Sequence, residues 1–195
     1  MQVSSSISSA RLLLHICCAP CAIHTFSKLR RNFREVFGFW YNPNIHPFME
    51  YQRRMEAVKI WVEREKIRII YRDDYDLKGF LRQVVFREEE RCRVCYHMRL
   101  EKTAILARKG KFHYFSSTLL LSPHQDKHLL KEIMREVGKE YSVKPYLEET
   151  RGRWQKGLNL SRKMDLYHQQ YCGCIYSEEE RYKHSKGVSG KAKGL

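Results

Sequence analysis

The sequence predicts an α/β protein with a mostly parallel sheet, helices on both faces and a C-terminal extension of loops and short helices. Two observations carry that expectation. Short runs of β-branched and aromatic residues alternate with longer segments whose apolar residues recur at helical spacing. The 195 residues, 43% of them hydrophobic, suffice for one well-formed core, and no internal repeat divides them.

Taken in order, residues 11–16 read as a strand and 21–31 as a helix. EVFGFWY (35–41) is a second strand, NPNIHP (42–47) a proline-fixed loop, and 48–66 a long helix on which Met55, Val58 and Val62 recur. IRIIY (67–71) is a third strand, 76–86 a helix, REEER a charged turn and 92–109 another helix. KFHYFSSTLLL (111–121) carries the fourth strand. Ser122-Pro123-His124-Gln125 then reads as a capping box opening a helix, with Asp126 in its first turn. Residues 141–146 form a short fifth strand. In such sheets ligands bind beyond the carboxyl ends of the strands. The first cysteine loop, NPNIHP and SPHQD all follow strands, so they are expected to converge on one edge.

Lys and Arg number 37 against 22 acids, a net charge of +15, which favours a polyanionic partner, nucleic acid first. Residues 10–180 are expected to form one domain. Residues 181–195, with five Lys/Arg and no acid, read as a basic flexible tail. No apolar run is long enough to span a bilayer, and the Ser-rich N-terminus lacks the basic region of a signal peptide, so the expectation is a cytoplasmic protein with no membrane partner.

Seven cysteines in such a chain point away from disulfides and toward metal or redox chemistry. All fall into three clusters: Cys17-Cys18-x-x-Cys21, Cys92-x-x-Cys95 and Cys172-x-Cys174. Four thiolates, from Cys18, Cys21, Cys92 and Cys95, suit a tetrahedral zinc or an iron–sulfur cluster. The surplus Cys17 and the C-x-C pair favour iron–sulfur, because a structural zinc needs four cysteines and stops there. A C-x-C pair can cycle between dithiol and disulfide or ligate a second metal.

Five motifs in order, LLHICCAPC, YNPNIHPFMEY, RCRVCYHMRLEKTA, FSSTLLLSPHQD and LYHQQYCGCIYS, resemble the QueH-type epoxyqueuosine reductases from about Leu12 to Ser177. The resemblance implies a HUP/PP-loop-like (adenine nucleotide alpha hydrolase-like) fold. It further implies reduction of epoxyqueuosine to queuosine at the wobble position of tRNAs with GUN anticodons, by iron–sulfur and iron chemistry without cobalamin. The loop after strand one has neither Gly nor Ser, whereas a pyrophosphate cradle needs bare backbone amides, so ATP use is not expected.

On this reading Cys18, Cys21, Cys92 and Cys95 hold a [4Fe–4S] cluster. Cys17, Asp126 and the Cys172/Cys174 pair serve a second mononuclear iron or the substrate. Closure of the cluster by Cys172 and Cys174 in place of Cys18 is the alternative. Asp126 has a second explanation as a helix-end carboxylate. His46 and His124 are proton-donor candidates, whereas His15 reads better as a satisfied core residue. The electron donor is unidentified. Tyr41, Tyr51, Tyr96, Tyr167 and Tyr171 are candidates for base stacking, with Arg53, Arg54 and Arg99 near them, while Phe39 and Trp40 read as core. Arg151, Arg153 and Lys156, in a Gly-containing stretch, are the expected phosphate contacts. A zinc-stabilised RNA-binding module and a C-x-x-C thiol oxidoreductase are the rival functions.

Overall fold

The structure is a computed structural model that describes residues 5–147 and 154–186. After a short helix α1 (Ser5–Ser8), strands and helices alternate: β1 (Arg11–His15), α2 (Ala19–Asn32), β2 (Glu35–Trp40), α3 (Phe48–Arg64) and β3 (Ile69–Tyr71). There follow α4 (Leu77–Val84), α5 (Arg91–Lys109), β4 (Tyr114–Ser117), α6 (Lys127–Glu140) and β5 (Lys144–Pro145). Helices α7 (Trp154–Lys163) and α8 (Ile175–Lys186) complete the described chain. The five strands form one sheet, ordered β3-β2-β1-β4-β5 and parallel throughout.

Three local expectations need correction. The fourth strand ends at Ser117, and Thr118–Leu121 turn into a 3-10 helix whose first free N–H, that of Leu119, donates to the Ser117 hydroxyl. Ser122 is not a helix cap. Its hydroxyl accepts from His124 N, and Asp126 caps α6, accepting from the N–H groups of His128 and Leu129. Residues 181–186 of the expected tail continue α8, while 187–195 lie outside the described residues.

The three central strands, β1, β2 and β4, bury both faces. Leu13, Phe39 and Phe115 pack with Phe80 of α4, Leu100 and Ala104 of α5, and Leu130 and Ile133 of α6. Leu12, Leu14, Val36 and Trp40 pack on the other side with Phe26 and Leu29 of α2 and Tyr51, Val58 and Trp61 of α3. This two-sided burial is what makes the sheet parallel and its strands continuously apolar. Strand order reverses direction between β1 and β4. The loops after these two strands therefore diverge and leave a crevice, where Cys17 and Thr118 lie.

Helix α7 braces the first cysteine helix. Gly157 is buried against the start of α2, and a methyl there would run into the Pro20 carbonyl. Gly157→Ala is expected to cost about 1–3 kcal/mol by overpacking, lowering Tm by about 2–4 °C per kcal/mol. Asn159→Ala, at an exposed position on the same helix, leaves Tm within error in the same thermal melt.

Candidate metal centre

The first thiol group is built at the crevice. Cys17 N donates to Thr118 Oγ1 (3.0 Å), and that hydroxyl donates to Cys17 Sγ (3.1 Å), tying the β1 loop to the β4 loop. Cys18 is the extended N-cap of α2, Pro20 sits in its first turn, and Cys21 follows within that turn. The sulfurs of Cys17, Cys18 and Cys21 all lie within 4.8 Å of one another, buried. Cys17 and Cys18 are 3.7 Å apart, close to the edge of a tetrahedron of thiolates bound at 2.3 Å, about 3.8 Å. Thiol hydrogen bonds from Cys18 and Cys21 and the Thr118 hydroxyl hold Cys17 well below the ordinary thiol range despite burial. Cys18 is pushed up by burial and by Cys17, and Cys21 by its bonds to Cys17 and Cys18. The triad thus favours one thiolate stabilised by its neighbours, which suits a metal ligand.

A second group forms where α5 starts. Burial, with Cys172 next, raises the Cys92 thiol. Burial raises Cys95 to about 12, with Cys172 and Cys174 adding and Arg99 opposing. The charges of Cys172 and Cys174 thus reach both Cys92 and Cys95. The loop of the C-x-C pair is held by Arg54, whose Nη1 and Nη2 donate to the carbonyls of Cys172 (2.8 Å) and Tyr171 (3.0 Å). Arg54 Nε in turn donates to buried Glu50 (2.6 Å), and the other Glu50 oxygen accepts from Tyr167. Between the two cysteines Gly173 has φ +151°, open to glycine but strained for other residues, and its carbonyl accepts from His46 N (2.7 Å). All seven cysteines are free thiols.

A cavity of about 750 Å³ opens on both groups, lined by Cys17, Cys21 and Cys172 together with Arg54, His124 and Trp154. Two glutamine amides in its wall meet sulfur: Gln169 Nε2 lies 3.0 Å from Cys18 Sγ and Gln125 Nε2 3.0 Å from Cys172 Sγ. Another cavity, about 790 Å³, lies at the amino ends of the strands, lined by Arg108, Lys109, Lys111 and Lys144 and by no thiol. The donor chemistry therefore assigns the site to the cysteine cavity. Mostly buried soft sulfurs, positive charge from Arg54 and Arg99, and amide donors form an environment that suits a thiolate-bound metal.

Several expectations find their place. His15 is a satisfied core residue: Ser117 Oγ donates to Nδ1 (2.9 Å) and Nε2 donates to the Tyr41 carbonyl (3.1 Å). Burial and then Arg99 lower it to about 4, so it is neutral at pH 7. His46 is buried between Tyr75 and Phe80 with neither ring nitrogen bonded among the described residues, and burial and Arg99 lower it likewise to about 4. His124 lines the cavity from a turn. Asp126 is engaged as the α6 cap and is not among the cavity residues. Phe39 and Trp40 are core residues. Of the five tyrosines only Tyr171 lines the cavity. Arg54 and Arg99 are buried rather than offered to phosphate, whereas Lys156 is exposed on α7. Arg151 and Arg153 lie outside the described residues. Sequence reasoning missed Trp154, Gln125, Gln169 and the Arg54–Glu50 pair. The i,i+4 spacing of Glu50 and Arg54 was a visible signal for the last.

The family model described as "Epoxyqueuosine reductase QueH" matches residues 12–180. A protein of that name from Dehalococcoides mccartyi is 38% identical over 172 residues, 88% of this chain and 94% of that protein. One from Thermotoga maritima is 33% identical over 190 residues, 92% of this chain and 96% of that protein. The fold is similar to that of the U34-tRNA thiolase NcsA from Methanococcus maripaludis, solved with its [4Fe-4S] cluster. Its TM-score is 0.55 at 13% identity, covering 98% of this chain and 71% of the thiolase. With the match running from β1 into α8 through all three cysteine clusters, the chain belongs to the epoxyqueuosine reductase QueH family.

Proposed function

We propose that this protein reduces epoxyqueuosine to queuosine at the wobble position of tRNAs with GUN anticodons, without cobalamin, in the cytoplasm. The observation that carries the reading is the buried triad of Cys17, Cys18 and Cys21, within 4.8 Å of one another, at a cavity lined by Cys17, Cys21 and Cys172 at the carboxyl edge of the sheet. The net reaction consumes two electrons and two protons. Both C–O bonds of the epoxide break, an alkene forms and the oxygen leaves as water. The electrons come from a separate reductant.

When bound, a [4Fe–4S] cluster supplies electrons singly, and a neighbouring mononuclear iron supplies a second electron store and a Lewis acid for the epoxide oxygen. The residues divide between the two. The close triad Cys17, Cys18 and Cys21 suits the single iron, which leaves Cys92, Cys95, Cys172 and Cys174 for the cluster. This exchanges Cys18 and Cys21 for the C-x-C pair relative to the set expected from spacing. Cys17 and Cys21 face the cavity from the triad, Cys172 from the quartet. His124, also facing the cavity, holds a proton for the departing oxygen. Trp154 and Tyr171 offer ring faces to the modified base. Arg151, Arg153 and Lys156 bind phosphates of the anticodon arm.

Anaerobically purified protein is expected to be brown, with sulfide near four per chain. Cys174→Ser loses the visible spectrum and sulfide. Cys18→Ser and Cys17→Ser keep both and lose turnover. Loss of sulfide in Cys18→Ser with retention in Cys174→Ser returns the cluster to Cys18, Cys21, Cys92 and Cys95. A colourless wild-type protein with one stoichiometric zinc overturns the reductase chemistry in favour of a structural metal.

Binding of tRNA is expected to weaken with salt. Neutralising Arg151, Arg153 and Lys156 together lowers affinity at every salt concentration and reduces the slope of log K against log salt by about 2–3. An unchanged slope removes these residues from the RNA interface.

A further inference from the structure

We infer that Gln169 and Gln125 set the reduction potential of the thiol-held iron by donating amide hydrogen bonds to ligand sulfurs; this rests on the reading that the cysteines bind iron. The two contacts are built alike from different parts of the chain. Gln169, in the segment between α7 and α8, reaches Cys18 Sγ of the triad at 3.0 Å. Gln125, in the turn before α6, reaches Cys172 Sγ of the second group at 3.0 Å. Each thiol group thus receives one neutral N–H donor from outside its own motif.

The orientation of Gln169 is informative. Its Oε1 is buried and has no hydrogen-bond partner among the described residues. Leaving a buried carbonyl unpaired costs about 1–3 kcal/mol, so the side chain gives up its acceptor while its N–H meets sulfur. A hydroxyl or a cation at that place would meet the sulfur equally well, but a cation adds a full charge and shifts the protonation of every thiol nearby. Gln125 is itself buried, and the dipole it presents is fixed by packing.

A hydrogen bond to a metal-bound sulfur stabilises the reduced state, in which the sulfur carries more negative charge, and so raises the potential. The two amides therefore make the iron easier to reduce by an external donor, one amide for each group. Both lie in the cavity wall, so a substrate entering there meets the same amides. Neither residue touches the leaving oxygen in this role: they are positioning residues that act through the ligands.

The test uses Gln169→Met and Gln125→Met in the full chain, since Met keeps the length and bulk of Gln and removes the N–H. Iron and sulfide are measured after anaerobic purification, and midpoint potentials by redox titration followed by EPR. The expected result is wild-type iron and sulfide, with a more negative potential in each variant. A tenfold change in the one-electron equilibrium constant corresponds to 59 mV, and about that shift is expected per amide. Unmoved potentials with metal content intact overturn the inference and leave the iron reading standing. Loss of iron from a folded variant also overturns it, because the amide then holds a ligand rather than tuning it. Absence of iron from the wild type overturns the iron reading and the inference with it. Should Gln169→Met fail to fold, Gln125→Met, on a separate loop, decides the matter by the same titration.

Discussion

A buried guanidinium organises this molecule. Arg54 is 2% exposed, and isolating such a charge from water costs several kcal/mol unless it is fully paired. Its partners are the Glu50 carboxylate one turn earlier on α3 and the two carbonyls of the segment that carries Cys172. It is also the positive charge felt by Cys18 and by Cys172, one from each thiol group. The electrostatic requirement of one side chain therefore docks the C-terminal segment onto the sheet edge, and the thiols of Cys172 and Cys174 arrive as part of that docking.

The same requirement cross-links the site without a disulfide. Tyr167 and Tyr171 bracket Arg54 from the segment, the first bonding Glu50 and the second the His46 carbonyl (2.6 Å), while His46 N returns to Gly173. Backbone groups of the NPNIHP loop and of the C-x-C loop satisfy each other. A loop that is irregular yet buried needs this reciprocity, because its polar groups have no ladder to join.

Much of this was legible in the chain itself. Strand and helix order, the convergence of three loops on one edge and the sorting of cysteines into clusters follow from local pattern. What was not legible depended on tertiary choice. Ser122 and Asp126 can both cap a helix. The outcome turned on Asp126 N reaching the Tyr96 hydroxyl (3.2 Å), a contact with a helix 30 positions away. From sequence Arg54 reads as one of the cations near the stacking tyrosines, whereas in the structure it is buried against the carbonyls of Tyr171 and Cys172. The gathering of Cys17 with Cys18 and Cys21 within 4.8 Å could not be read from two C-x-x-C spacings, because Thr118, from the loop after β4, holds Cys17 in place.

The order in which these thiols leave the ribosome carries a consequence. The triad is local, three cysteines within five residues, all made once the first turn of α2 has been synthesised. The quartet spans two distant segments, and at about 5–20 residues per second its last member follows Cys21 by about 8–30 s. In the later part of that interval, for about 4–16 s, Cys92 and Cys95 have been made and Cys174 has not. The full set of seven thiols therefore exists only when synthesis is nearly finished.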